Sequence, residues 1–147
     1  QPLVRVHNHP LASLICYEVA YPPLLRPQLP EAEWLVSISD DGWFGHSFAA
    51  YQQLQMSQVL SLQTGRFQIV ANNDGLSSII NAKGQIEASL PAFQSGVLHA
   101  TIQASHGATP WVSFGDTPVC LMSFLLVFLA YLKRRPFFLY DNLSYLS

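Results

Sequence analysis

The stretch LASLICYEVAYPP, residues 11–23, decides how the chain is read. Its first half, Leu11 to Cys16, is short and apolar with turn signals downstream, the pattern of a buried strand. Its second half breaks that pattern at once, with Tyr17 and Glu18 after the cysteine and Pro22-Pro23 closing the segment. A cysteine at a strand end entering a tight turn has the geometry of a nucleophile elbow. The thiol projects from the sheet edge, and the next N–H, that of Tyr17, can face a developing oxyanion. Two readings stay open on local chemistry. A reactive thiol needs a base or a cation beside it, and Glu18 would oppose thiolate formation unless it accepts the proton or orients the turn. Otherwise a lone buried cysteine is a core residue.

On either side of this stretch the chain alternates strands with one long helix. EWLVSIS (33–39) predicts a second strand, ended by the turn-rich DDGWFG at 40–45. FAAYQQLQMSQVLSLQ (48–63) carries Tyr51, Leu54, Val59 and Leu62 at helical spacing, which predicts an amphipathic helix stopped at Gly65. FQIVANN (67–73) and LSSIINAKGQIEASL (76–90) predict three strands, the last two joined by a hairpin at Ala82-Lys83-Gly84. GVLHATIQ (96–103) predicts one more, and the four prolines of 22–30 allow only brief helix there. The expected class is an α/β or α+β sandwich.

Composition narrows the function. The chain has 147 residues, 50% hydrophobic and 11% charged, with a formal net charge of −2. That is too apolar for disorder and too neutral for electrostatic nucleic-acid binding. The basic residues are scattered except for Lys133-Arg134-Arg135. Cys16 and Cys120 sit in dissimilar surroundings, which argues against their pairing.

Residues 117–132, TPVCLMSFLLVFLAYL, carry no charge and meet the basic triplet directly. The run is 16 residues long, whereas spanning a bilayer takes roughly 17–25. Snorkelling basic side chains and local thinning close that gap, and Trp111 and Tyr131 fit interfacial anchors. The expectation is a transmembrane helix within 111–135, with 133–135 cytoplasmic and 1–115 on the outer side by the positive-inside rule. A buried core or dimer-interface helix is the alternative.

The motifs, taken together, resemble a known family. ICYE (15–18) resembles the nucleophile motif of the nitrilase, or carbon–nitrogen hydrolase, superfamily. VSISDDGWFG (36–45) and the continuous run from Tyr51 to Ile86 resemble its apolipoprotein N-acyltransferase branch, which also ends in an apolar helix with a basic tail. The resemblance implies the C-terminal part of a nitrilase-type αββα sandwich over residues 1–110, then the transmembrane helix, with 136–147 unassigned. It implies that Cys16 takes an acyl chain from a phospholipid as a thioester. The acyl group then passes to the α-amino group of the diacylglyceryl-cysteine of an apolipoprotein. Tyr17 and Glu18 would support the site, while Trp43 and Phe44 would form a loop over the pocket that meets acyl chains or packs as a lid. The implied setting is the bacterial inner membrane with the catalytic part on its periplasmic side, and no metal or cofactor is implied. The partners are the phospholipid donor, the diacylated lipoprotein acceptor and the membrane.

Departures from the family pattern carry their own expectation. The family's general-base glutamate and oxyanion-stabilising lysine precede the cysteine, yet the fifteen residues before Cys16 contain neither. Lys83, in a hairpin turn, and Lys133, in the basic tail, are poor substitutes. The expected outcome is a chain that is inactive alone, with an N-terminal half on another polypeptide or lost by truncation. Asp40 replaces an asparagine, Gln53 a frequent histidine, and Asp74 interrupts an Asn-Gly step. A nitrilase-type amidase fragment and an inactive membrane-anchored remnant are the rival readings. His7 and His9 lack a third ligand at metal spacing, and Asp40-Asp41 reads as a turn cap.

Overall fold

A computed structural model of the chain describes residues 3–133. Strands β1 (Val4–Val6), β2 (His9–Ile15), β3 (Trp34–Asp40), β4 (Gln68–Asn73), β5 (Ser77–Ile80) and β6 (Ile86–Leu90) form one sheet in chain order. The central pairs β2–β3 and β3–β4 are parallel, while β1 and the β5–β6 hairpin add antiparallel edges. Parallel neighbours need crossovers. Here they are the 3₁₀ turns between β2 and β3 and helix α1 (Ala49–Thr64) between β3 and β4. A short helix α2 (Pro110–Phe114) and helix α3 (Thr117–Lys133) follow. The chain divides between Ser113 and Phe114 into two compact units.

The strand alternation sorts the sheet into two faces. Ala12, Leu14, Leu35, Ser37, Ser39, Gln68, Val70, Ser78 and Ile80 share one face in register, and all are buried. They pack beneath α1 and the 3₁₀ turns, whose Val19, Leu25, Leu29 and Leu60 complete the core. Fully burying a side chain such as Leu35 or Leu60 contributes about 1.5–3 kcal/mol. On the other face Leu11, Trp34 and Phe67 are buried under Ile102. Ile15 and Ile38, in register nearer the carboxyl ends, stay exposed.

Arg66 ties the periphery to this frame. Its guanidinium donates to the backbone carbonyls of Ala32 (2.7 Å), Thr64 (3.1 Å), Pro30 (3.2 Å) and Gly107 (2.6 Å). Burial pushes it below the ordinary arginine range, and the Glu33 carboxylate pushes the other way. At the same end, Glu33 pairs with His9 Nδ1 and lies 3.8 Å from His106 Nδ1.

Several expectations change. Helix α1 ends where expected, with Gly65 left-handed at φ +64°. Its buried stripe is Ala50, Gln53, Leu54, Ser57, Leu60, Ser61 and Thr64, so of the four expected apolar positions only Leu54 faces the core. Tyr51, Val59 and Leu62 point outward. Small polar side chains let the helix lie close on the sheet, which the apolar pattern alone could not reveal. The segment 96–103 forms no strand. It crosses the sheet face as an irregular strap, held by Ile102 packing and by the Ser105 N–H donating to the Glu33 carbonyl. His7 lies in the β1–β2 turn at φ +49°, beside Asn8 at +68°, and His9 opens β2, both exposed.

The C-terminal helix is corrected at its start. It runs 17 residues from Thr117, separate from α2. Among the described residues no helix is long and apolar enough to cross a membrane. Trp111 is no interfacial anchor. It packs on the core of the first unit, with the Arg26 guanidinium 5.9 Å over its ring. Arg26 also donates to the carbonyls of Val112 and Ser113, each at 3.2 Å. Arg134, Arg135 and the tail 136–147 lie outside the described residues.

Candidate active site

Three parallel strands release their chains at one edge: Cys16 after β2, Asp40-Asp41 at the end of β3, and Asn73-Asp74 at the end of β4. In open α/β sheets ligands bind outside such carboxyl ends. Ile15 and Ile38 are in register, so Cys16 stands level with Ser39 on strands about 4.8 Å apart.

Cys16 begins a 3₁₀ turn, Cys16–Ala20, at φ +53°, a left-handed conformation strained for a residue with a Cβ. Its thiol is exposed and free. Glu18 reaches back over this turn, and its Oε2 accepts the Ile15 N–H at 2.7 Å. The carboxylate is therefore engaged with backbone at the elbow. Tyr17 lies half-exposed with its ring edge-on to Tyr21, centroids 6.0 Å apart. Beside it, a groove of about 590 Å³ runs between the turn and α1, lined by Tyr17, Val19, Met56 and Val59 among others.

The β3 end carries the aromatic turn. Asp40 Oδ1 accepts the Gly42 N–H at 3.0 Å, so aspartate serves the turn here as well as asparagine would. Asp41 is buried, and its carboxylate accepts Ser39 Oγ (2.9 Å) and Asn72 Nδ2 (2.5 Å). Gln53 Nε2 donates to Ser39 Oγ at 2.8 Å and extends the network into α1. Beyond it, Trp43 is 89% and Phe44 43% exposed. Next in the loop, the His46 ring meets Phe93 at 4.5 Å between centroids. Phe93 and Asp74 border a polar cleft of about 290 Å³.

The five site residues named from sequence thus come to one sheet edge on two adjacent strand ends. Sequence reading missed the Ser39–Asp41–Asn72–Gln53 network. Its one visible signal was the spacing of Gln53, Ser57, Ser61 and Thr64, polar residues along one face of a helix that mixes polar and apolar positions. Among the described residues no lysine or arginine forms an ion pair at this edge.

Comparison with known proteins gives four matches. Residues 2–110 match the family model described as carbon–nitrogen hydrolase. The chain is 34% identical over 135 residues to the apolipoprotein N-acyltransferase of Pseudomonas aeruginosa, covering 92% of this chain and 26% of that protein. It is 41% identical over 127 residues to the protein of that name from Nitrosomonas europaea, covering 86% of this chain and 25% of that one. The chain therefore spans about a quarter of the length of the curated relatives it matches. Among solved structures, a cysteine-to-alanine mutant of the Nesterenkonia AN1 amidase from the nitrilase superfamily superposes with a TM-score of 0.53 at 13% identity. That match covers 85% of this chain and 47% of the amidase. It speaks to the fold, a mixed sheet with helices.

Proposed function

The chain belongs to the carbon–nitrogen hydrolase family, and on that premise we propose that it supplies the cysteine half of a membrane-associated N-acyltransferase site. The observation that carries this reading is the exposed Cys16 thiol, held at φ +53° on the carboxyl edge of a parallel strand and braced by Glu18. The relatives' name supports the same chemistry.

In the first half-reaction the Cys16 thiolate attacks the ester carbonyl of a phospholipid, forming the C–S bond. The tetrahedral intermediate collapses with loss of the lysophospholipid alkoxide, which takes up the proton that left the thiol. In the second, the α-amine of a diacylated lipoprotein attacks the thioester, the thiolate leaves, and the amine proton returns to sulfur. The Tyr17 N–H faces the oxyanion of each step, Glu18 orients the elbow, and Trp43 and Phe44 contact the acyl chain. Both steps call for a base and a cation near the sulfur. Glu18 Oε2 is taken by the Ile15 N–H and no lysine or arginine forms an ion pair at this edge among the described residues, so the chain alone is expected to turn over poorly. Helix α3, uncharged from Thr117 to Leu132 and with no buried residue, holds the site beside its lipid substrates.

The test is incubation of the full chain with a fluorescent phospholipid, with and without the N-terminal remainder of a curated relative. A hydroxylamine-sensitive adduct on Cys16 that appears only with the added part supports the proposal. No adduct in either case, or one that persists in Cys16→Ser, refutes it. Alkaline-carbonate extraction tests the membrane association separately, and recovery in the soluble fraction removes that part.

A further inference from the structure

Building on the acyl-transfer reading above, we propose that Asp41 is a positioning residue. Its buried carboxylate sets the pose of the Trp43–Phe44 turn, which leaves the strand end next to that of Cys16, and so gives the thiol its preference for long apolar acyl groups over small ones.

Trp43 has almost no packing of its own at 89% exposure, so its direction is inherited from the backbone beneath it. That backbone starts at Asp41, with Asp40 Oδ1 also holding the Gly42 N–H. The Asp41 N–H donates to the Asn73 carbonyl at 3.0 Å, and its carbonyl accepts the Phe44 N–H at 2.9 Å, closing the turn. The residue, only 1% exposed, is gripped directly from two elements and braced through a third. Ser39 Oγ on β3 and Asn72 Nδ2 on β4 donate to the carboxylate, while Gln53 Nε2 on α1 donates to Ser39 Oγ. Because Ser39 Oγ accepts from Gln53, its own hydrogen is committed to Asp41.

The grip has no slack. A Cβ on Gly75 would lie 2.5 Å from Asn72 Cγ, Asn72 Nδ2 and Asp41 Oδ2. Among the described residues no lysine or arginine pairs with Asp41, so neutral donors alone hold a carboxylate removed from water. A buried carboxylate held this way at the root of an exposed aromatic turn, on the strand beside the cysteine, does more than terminate a strand. Replacing it frees the turn to move while the thiol stays where β2 and Glu18 put it.

The experiment alkylates the full chain with N-dodecylmaleimide or N-ethylmaleimide and reads the rate at Cys16 by peptide mass spectrometry. The ratio of the two rates cancels changes in the thiol itself. Asp41→Asn is expected to lower the long-to-short ratio about tenfold, the scale of one lost charge-assisted hydrogen bond. Ser39→Ala and Gly75→Ala, which disturb the same carboxylate from outside the turn, lower it in the same direction, and Trp43→Ala lowers it as well. If Trp43→Ala lowers the ratio while Asp41→Asn and Ser39→Ala merely lower the melting temperature, Asp41 is structural and the inference is overturned with the reading of the turn intact. If Trp43→Ala leaves the ratio unchanged, the reading of the turn as an acyl contact fails, and the inference with it. Should Asp41→Asn not fold, Ser39→Ala alone decides between these outcomes.

Discussion

The Glu18 carboxylate accepts the backbone N–H of Ile15 at 2.7 Å, bridging across Cys16 from the residue two after it to the residue just before. A carboxylate so used closes the elbow on itself and fixes the angle at which the chain leaves β2. Loss of such a charged capping bond removes about 1–2 kcal/mol. Glu18→Ala is therefore expected to lower the unfolding free energy by that amount and to broaden the reactivity of Cys16 toward alkylating agents. Glu18→Gln keeps an acceptor and is expected to recover most of the stability. Urea denaturation of the pair checks this, and equal losses in both variants would count against it.

The left-handed backbone at Cys16 makes a second expectation. A non-glycine residue at φ +53° carries strain of about 1–3 kcal/mol, part of which glycine relieves at a cost in chain entropy. Cys16→Gly is expected to be as stable as the parent or up to about 1 kcal/mol more stable, although it removes the nucleophile. Cys16→Ser keeps the strain and is expected to gain nothing. A destabilised Cys16→Gly variant would show that the elbow is not strained.

Arg66 is expected to be the most sensitive single position in the first unit. Arg66→Ala strands four backbone carbonyls, on Pro30, Ala32, Thr64 and Gly107, and is expected to destabilise by more than about 3 kcal/mol. The sign of its pH dependence follows from the direction of its shift. Burial lowers the folded-state pKa, with Glu33 opposing, so the charged form is penalised on folding. For a lowered base that penalty is present below the folded-state titration and fades as pH rises through it. The stability difference between parent and Arg66→Ala should therefore stay flat across neutral pH, as denaturation at several pH values would reveal.

Beneath α1, Ser37 Oγ and Ser57 Oγ are buried and find no hydrogen-bond partner among the described residues. An unsatisfied buried hydroxyl opposes folding, so Ser57→Ala is expected to be neutral or stabilising by up to about 1 kcal/mol. Ser39→Ala, which breaks the bonds to Asp41 and Gln53, is expected to destabilise. Opposite signs for two Ser→Ala changes on facing elements are the readout of thermal melting.

Helix α3 offers a test of lipid association. Leu125 is exposed near its middle, and a lysine there opposes burial in hydrocarbon by about 2.5–3.5 kcal/mol. Leu125→Lys is expected to shift the chain toward the soluble fraction after carbonate extraction, whereas a lysine at the terminal Thr117 should leave the partition nearly unchanged. Equal partitioning of the two variants would argue against contact between this helix and the acyl region.

Strand ends, helix stop and hairpin were legible because short-range chemistry specifies them. Gly65 can take the left-handed cap that others resist. In the hairpin turn, Gly84 sits at φ +75° and the Asn81 side chain accepts the N–H groups of Lys83 and Gln85. The elbow itself was readable from the collapse of an apolar run into Cys16-Tyr17-Glu18. Segment 96–103 misled because its alternation is that of a strand, yet it lies across the sheet face with Ile102 over Leu11 and Trp34. Trp111 misled because an aromatic ring before an apolar run looks like a membrane anchor until its packing partners are known.

By itself, then, the amino-acid order determined where β2 to β6 and α1 lie, to within a residue or two, and which cysteine stands at a strand end. Those features depend on residues within a few positions of one another. Only the tertiary structure decided which face of α1 is buried and that Asp41 is locked under the aromatic turn. The Asp41 grip joins Ser39 to Gln53, 14 residues away, and Asp41 to Asn72, 31 residues away. Such contacts follow from the parallel register of β3 and β4 and from small polar side chains packing where the pattern promised apolar ones. No local periodicity encodes either.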